Sequence, residues 1–348
     1  MKYNGGATAG SSPSPTAPAD DEPGAIGPLF ISGRQHSGNT VVTMIFGKVP
    51  DCFAANVEGW FFEHRGLVEK IKDPARRARY IVDILRLEDA ALAEQARQWL
   101  ARWHCEHPDA ASIDVYRQAM QFVTASSGKR FWVRRATSYI FYGEQILSLM
   151  PEARMLYLLR NPYDVCASKK RRNPTGDRFV GWVVSWNRGL RLATRLQQRY
   201  PDRFRLVRYE DMVTTPVETM RGIFDFVGVP FQERYLDVPH VNRSEAHQTR
   251  TSKTRGLNPS RVYYYTGILR PAEIAAVDML VSKPALLEHY PDLPHRRGVY
   301  APRTRLKALG LLALSPLLFA VGQAQRFVHQ KSAWRFRRLL WRVKLLFR

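Results

Sequence analysis

The chain has 348 residues, of which 45% are hydrophobic and 11% aromatic, enough apolar side chain to exclude a wholly disordered protein. Its three cysteines, Cys52, Cys105 and Cys166, exclude a disulfide scaffold, lack zinc-ligand spacing and point to a reducing compartment. A formal net charge of +22 calls for an anionic partner: a nucleotide, a nucleic acid, an anionic glycan or an anionic lipid.

In chain order, residues 1–28 are rich in Gly, Ala, Ser and Pro and read as a disordered tail, not a signal peptide. Leu29–Ile31 is an apolar run ending at Ser32-Gly33, and a helical stretch follows from about Gly38 to Lys48. Leu67–Cys105 is mostly helical in period, as is Ile113–Ser126, so 64–127 reads as a helical insertion. Phe131–Val133 is a brief strand and Tyr142–Met150 a helix stopped by Pro151. Arg154–Arg160 is the clearest buried strand, with Pro162 opening the next helix at its first turn. Val180–Tyr200 is helical, Phe204–Tyr209 a strand, and Pro216–Val227 a helix ended by Gly228. Alternating strands and helices predict an α/β fold with a mainly parallel sheet over 29–300.

From Arg303 to Arg348 there are eleven Lys or Arg and no Asp or Glu, so half of the excess charge sits in the last seventh of the chain. Segment 301–348 reads as an appendage. Ala308–Val321 is uncharged but only fourteen residues long and interrupted by Pro316, short for a span and suited to an interfacial or re-entrant segment. Arg326–Arg348 has a helical period with basic residues bordering an apolar face, and Trp334 and Trp341 seven apart. That pattern fits an anionic membrane surface. No nucleic-acid module is recognisable, and none is expected as a partner.

The segment Gly33-Arg34-Gln35-His36-Ser37-Gly38-Asn39-Thr40 follows the outline G-x-x-x-x-G-x-T of a phosphate loop. Glycines let backbone N–H groups surround an anion at a helix start. The lysine that would precede Thr40 is Asn39, which argues against ATP or GTP hydrolysis but not against another phosphate ester.

Leu158-Leu159-Arg160-Asn161-Pro162-Tyr163-Asp164-Val165-Cys166-Ala167-Ser168 resembles the 3′-phosphate segment of the sulfotransferases that use 3′-phosphoadenosine 5′-phosphosulfate (PAPS). The Arg208–Met212 and Phe226–Pro230 segments are similar to that family's later motifs, and the likeness covers about residues 29–235. The resemblance implies a doubly wound, P-loop-like, mainly parallel sheet flanked by helices, and PAPS as co-substrate. It implies that Arg160 and Ser168 hold the 3′-phosphate and that Gly33–Thr40 hold the 5′ end. Tyr209 would touch the adenine, and Arg255 and Gly256 would lie in a basic loop closing over the nucleotide. His36 stands where the family has Lys or Arg for the bridging oxygen; protonated His36, or Arg34 two residues earlier, would supply that charge.

Val57–Glu63 resembles a glycan-sulfotransferase segment whose glutamate is the base, which carries over to Glu58, with Glu63 and His64 as alternatives. No metal is expected. The expected activity is sulfuryl transfer to a hydroxyl of a glycan, glycolipid or other membrane-associated acceptor at the cytoplasmic face of a membrane. An inactive, membrane-peripheral nucleotide-binding protein is the alternative. Asp164 is expected to cap or face its helix rather than do chemistry.

Overall fold

The structure, a computed structural model, describes residues 26–172, 179–239, 255–291, 293 and 300–328. Most of the expected tail, and the expected helix beyond Val328, lie outside the described residues. Five parallel strands form one sheet among the described residues: β1 (Leu29–Gly33), β2 (Cys52–Glu58), β3 (Phe131–Arg135), β4 (Arg154–Leu159) and β5 (Phe204–Arg208). Their order is β2-β3-β1-β4-β5, so the loop after β1 leaves from the middle of the sheet. The expected fold class is therefore the one observed.

The helices follow in chain order. α1 (Asn39–Phe46) leads from the loop to β2. Next come α2 (Phe61–Val68), α3 (Pro74–Leu85), α4 (Ala90–Glu106) and α5 (Ser112–Ser126), which lie between β2 and β3. A 3-10 turn over Tyr139–Tyr142 and α6 (Gly143–Leu149) precede β4. α7 (Pro162–Arg172), α8 (Phe179–Arg199), α9 (Tyr209–Thr214), α10 (Pro216–Val227), α11 (Pro271–Leu280), α12 (Lys283–His289) and α13 (Pro302–Val328) complete the helices of the described chain.

Local chemistry explains the ends. Asp73 accepts from the Arg76 amide at 2.6 Å with Pro74 at the first helical position, and Asp89 accepts from the Ala91 and Leu92 amides. Gly228 takes the left-handed conformation (φ 83°) that closes α10.

Alternation along the strands divides the core into two faces. Phe30, Trp132, Met155, Tyr157 and Leu159 face one cluster, which packs against the helices between β2 and β3 and against α8. Leu29, Ile31, Val133, Leu156 and Leu158 face the other, with α1 and α10. Phe30 meets Phe62, Trp132 and Tyr139 edge-on at 5.2–5.7 Å. On the opposite face Phe46 stacks on Phe224 at 4.6 Å. Fully burying each such ring contributes about 2 kcal/mol.

The structure departs from the sequence expectations in three places. Cys52–Glu58 is an edge strand, irregular between Ala54 and Glu58, so its period-2 signal is broken. The helix expected from Tyr142 is preceded by a 3-10 turn, anchored where the Ile140 amide donates to Ser32 Oγ at 3.0 Å. α13 runs unbroken through Pro316, so the proline does not interrupt it; the helix forgoes one backbone bond there. α13 starts at Pro302 and rests its Ala308 face on Ala275 and Ala276 of α11. Among the described residues no helix is long and apolar enough to cross a membrane.

Candidate active site

All five strands end at one edge, which in open α/β sheets is where ligands bind. Gly33, Glu58, Arg135, Leu159 and Arg208 are the last strand residues there. The loop after β1 is built for a close approach. A Cβ on Gly33 would stand 2.5 Å from both Asn39 Oδ1 and the Leu158 carbonyl oxygen. Gly38 is left-handed (φ 94°), and a Cβ there would meet Met212 at 2.7 Å and Tyr209 at 3.1 Å. His36 is left-handed as well (φ 74°). A non-glycine residue held there costs roughly 1–3 kcal/mol and marks a conformation imposed by its surroundings.

Asn39 is buried and turns back, donating to the Gly33 carbonyl at 2.9 Å. It braces the loop where an ATPase lysine would reach phosphate. Thr43 donates to the Asn39 carbonyl at 2.9 Å, and the Ser37 amide donates to the Arg34 carbonyl at 3.1 Å. Ser37 Oγ is buried with no hydrogen-bond partner among the described residues. Gln35 and Thr40 are half-buried. A turn of amides at the start of α1, with a spare buried hydroxyl, fits the phosphate end of a nucleotide.

Arg160 follows β4 and is 4% exposed. Its guanidinium donates to the His36 carbonyl at 2.7 Å and to the Arg261 carbonyl at 2.6 Å. It lies over the Tyr209 ring at 4.2 Å and the Tyr264 ring at 5.6 Å. One face of Tyr209 is therefore taken by Arg160, which leaves that face unavailable to the adenine assigned to it from sequence; burial raises the Tyr209 pKa. Ser168 is half-buried on α7, one turn beyond Asp164.

Asp164 does more than face its helix. Its carboxylate accepts from Asn161 Nδ2 at 2.7 Å and from the amides of Tyr263 at 2.8 Å and Tyr265 at 3.0 Å. Burial pushes its pKa up to about 6 against the pull of Arg160, 3.9 Å away. Buried Glu210 likewise accepts from the Asn161 amide at 3.0 Å and the Tyr290 hydroxyl at 3.1 Å. Thus 34–39, 160–164 and 261–265 are cross-linked into one frame.

Arg34 leaves the loop for α8. It donates to Ser185 Oγ at 2.6 Å and lies over Trp182 at 4.5 Å, and burial lowers its pKa. Lys169 lies over the same ring, while Lys170 is used internally by Glu273 at 2.6 Å and by the Ile268 carbonyl. Both lysines are thus engaged within the fold.

Arg255 is not brought to the loop. It is exposed and forks onto Asp237, whose charge neighbour is Lys48, just past the far end of α1. Gly256 is left-handed (φ 86°) and bonds Val238. Lys253 and Thr254 lie outside the described residues. The residues that sequence reading missed are Arg261 and Tyr264, which stack at 5.4 Å beside Arg160. The only sequence signal was the aromatic run Tyr263–Tyr265.

On the other half of the edge, Glu58 ends β2 half-buried, opposite Arg135 in register. Two strand spacings separate β2 from β1, about 10 Å. Glu63 is held by the Ser138 hydroxyl, and His64 Nδ1 pairs with the Tyr80 hydroxyl at 2.7 Å. Of the three candidate bases, Glu58 stands at the strand end while the other two are engaged by side chains. Below it, fully buried Arg134 donates to the Leu85 carbonyl at 2.6 Å. A Cβ on Gly59 would meet Arg134 and the Tyr139 hydroxyl at 2.6 Å. Burial holds the Tyr139 pKa well above its ordinary value.

Comparison with solved structures returns sulfotransferases. The sulfotransferase domain of the Synechococcus PCC 7002 olefin synthase is 20% identical, covering 75% of this chain and 96% of its own, with a TM-score of 0.47. The sulfotransferase domain from the curacin biosynthetic pathway is 17% identical, covering 81% and 96%, with a TM-score of 0.45. Sulfotransferase STF9 from Mycobacterium avium is 15% identical, covering 78% of each chain, with a TM-score of 0.40. No curated protein matches. The sulfotransferase family model matches residues 28–233, more than half of the chain, and the chain belongs to that family, an enzyme family whose usual donor is PAPS.

Proposed function

We propose that this sulfotransferase moves a sulfuryl group from PAPS to a hydroxyl of a glycan, glycolipid or other membrane-associated acceptor. The observation that carries the reading is the buried Arg160 guanidinium, tied to the phosphate loop at the sheet edge that also holds Glu58. Arg160 and Ser168 hold the 3′-phosphate, with Arg261 beside them. The loop amides and the start of α1 hold the 5′ end.

The acceptor oxygen attacks sulfur in line; the new O–S bond forms as the bond from sulfur to the 5′-phosphate oxygen breaks. The electron pair leaves on that phosphate oxygen, and Glu58 takes the hydroxyl proton. Charge growing on the leaving phosphate is met by the loop amides and His36, since Arg34 is engaged by α8. Positioning contributes most of the remainder. With 35S-labelled PAPS and a panel of glycan and glycolipid acceptors, Glu58→Gln is expected to lose at least 100-fold in transfer. It is expected to bind 3′,5′-adenosine bisphosphate within threefold of wild type. Full transfer by the variant would remove Glu58 as the base. Nucleotide binding by wild type with no transfer to any acceptor would favour a binding protein instead.

We also propose that the enzyme works at the cytoplasmic face of a membrane. The basic 303–348 segment supports this. So does α13, which leaves Leu306, Leu309 and Leu314 more than half exposed while Ala308 is packed on α11. The full chain should sediment with phosphatidylserine vesicles and not with phosphatidylcholine vesicles. Failure to sediment with either counts against it.

A further inference from the structure

Trp60, two residues past Glu58, carries the guanidinium of Arg86 over its ring. Trp60 is placed by its backbone: the Gly59 amide donates to the Arg135 carbonyl at 3.3 Å, and the Trp60 amide to the Ile84 carbonyl at 3.4 Å. The last turn of α3 is thereby tied to the sheet edge, and Arg134 ties it again through the Leu85 carbonyl. The next residue, Arg86, ends α3 in the left-handed conformation (φ 54°, ψ 51°). Helices that end this way usually end on glycine, because a side chain there is strained.

The guanidinium of this residue lies over the Trp60 ring, 4.2 Å from its centroid. Arg86 is exposed, and its side chain makes no hydrogen bond or ion pair among the described residues. Asp83, the acidic residue three positions earlier, is taken by Arg97 at 2.9 Å. A guanidinium held over a ring uses its face for the contact and keeps its N–H donors for other partners, and that fork is suited to taking an oxyanion bidentately.

Glu58 and Trp60 are at most about 7 Å apart along the backbone, so an oxyanion on Arg86 and a hydroxyl at Glu58 can belong to one acceptor. We propose that Trp60 and Arg86 form an acceptor subsite for a carboxylate or phosphate carried on the same hydroxylated ring that is sulfated. This rests on the reading of the sheet edge as a sulfuryl-transfer site with Glu58 as base. It narrows the acceptor class to anionic glycans or glycolipids. A backbone strained to hold an arginine on a tryptophan, rather than relaxed with glycine, is the observation that calls for a ligand.

The test uses the full chain saturated with 3′,5′-adenosine bisphosphate and three probes titrated calorimetrically. They are p-nitrophenyl β-D-glucoside, its 6-phosphate, and p-nitrophenyl β-D-glucuronide. At least one anionic probe is expected to bind tenfold or more tightly than the neutral glucoside, and which one does so separates phosphate from carboxylate. Arg86→Ala should bring that probe within twofold of the neutral one, with nucleotide affinity unchanged. Arg86→Lys, which keeps the charge and loses the fork, should fall between. The subsite is overturned if the three probes bind alike, if neither anionic probe binds, or if Arg86→Ala keeps the preference. Should the nucleotide itself not bind, the transfer reading fails separately. The probe ranking, repeated without nucleotide, then still decides the subsite.

Discussion

The two halves of the sheet edge handle charge in different ways. On the half that carries the loop after β1 and Arg160, buried charges are answered by backbone. Arg160 donates to the His36 and Arg261 carbonyls, and Asp164 accepts from the Tyr263 and Tyr265 amides. On the half that carries Glu58, Arg134 is equally buried but spends one nitrogen on the Leu85 carbonyl. Its other side-chain neighbour is the Tyr139 hydroxyl, and Nε and Nη1 have no further acceptor among the described residues. Backbone partners from distant segments fix a geometry before any ligand arrives. A buried charge with spare donors stores polar cost and depends on tight packing to stay where it is. The first half is therefore a frame and the second a packed wall.

The frame is broken most directly at Arg160. Arg160→Ala removes two charge-assisted bonds and the cation beside Asp164. Each such bond is worth about 1.5–3 kcal/mol, so affinity for 3′,5′-adenosine bisphosphate should fall at least 100-fold by calorimetric titration. A fall under tenfold would mean that the frame does not organise the nucleotide site. The wall is broken at Gly59. In Gly59→Ala the new Cβ must displace Arg134, which cannot retreat without abandoning the Leu85 carbonyl. Overpacking of this kind costs about 1–3 kcal/mol. Urea unfolding should show that loss, while nucleotide affinity stays within threefold. If both properties fall together, the two halves are one unit and the contrast fails.

Asp164 sharpens the comparison through pH. Its folded pKa, about 6, lies above the unfolded carboxylate value, so between about pH 6 and 4 the folded chain holds a proton that the unfolded chain releases. The stability owed to this group therefore falls as pH rises through that window and is fully present below it. Unfolding free energies of wild type, measured relative to Asp164→Asn, should decline from pH 4 to pH 7. A flat difference would place the Asp164 pKa near its ordinary value.

Much of this was legible in sequence, and the reason is local. Strand Arg154–Leu159, helix Pro216–Val227 and the loop after β1 carry their own signals: an unbroken apolar run, a proline start with a glycine stop, and spaced glycines. Strand β2 was not legible because an irregular edge strand has no clean alternation. Arg261, Tyr264 and the Trp60–Arg86 pair were not legible because their positions are set by contacts across many residues of chain. Arg160 and Arg261 are 101 residues apart.

The smallest expected effect tests that last point. From sequence, Arg255 was the cation that would close over the nucleotide, since Lys253-Thr254-Arg255-Gly256 is similar to the family's late basic loop. In the structure Arg255 is exposed and forked onto Asp237, toward the end of α1 away from the phosphate loop, whereas Arg261 touches the frame through its carbonyl and the Tyr264 ring. Arg255→Ala should accordingly change affinity for 3′,5′-adenosine bisphosphate less than twofold, because an exposed pair is screened by solvent. Arg261→Ala should weaken it about fivefold, by about 1 kcal/mol, the scale of one partly screened charge. If the order were reversed, the ligand would have to pull Arg255 off Asp237 and carry the 237–256 bridge with it. The late loop would then close over the nucleotide as the sequence resemblance implies, and the frame built on Arg160 would be one side of a clamp rather than the whole of it.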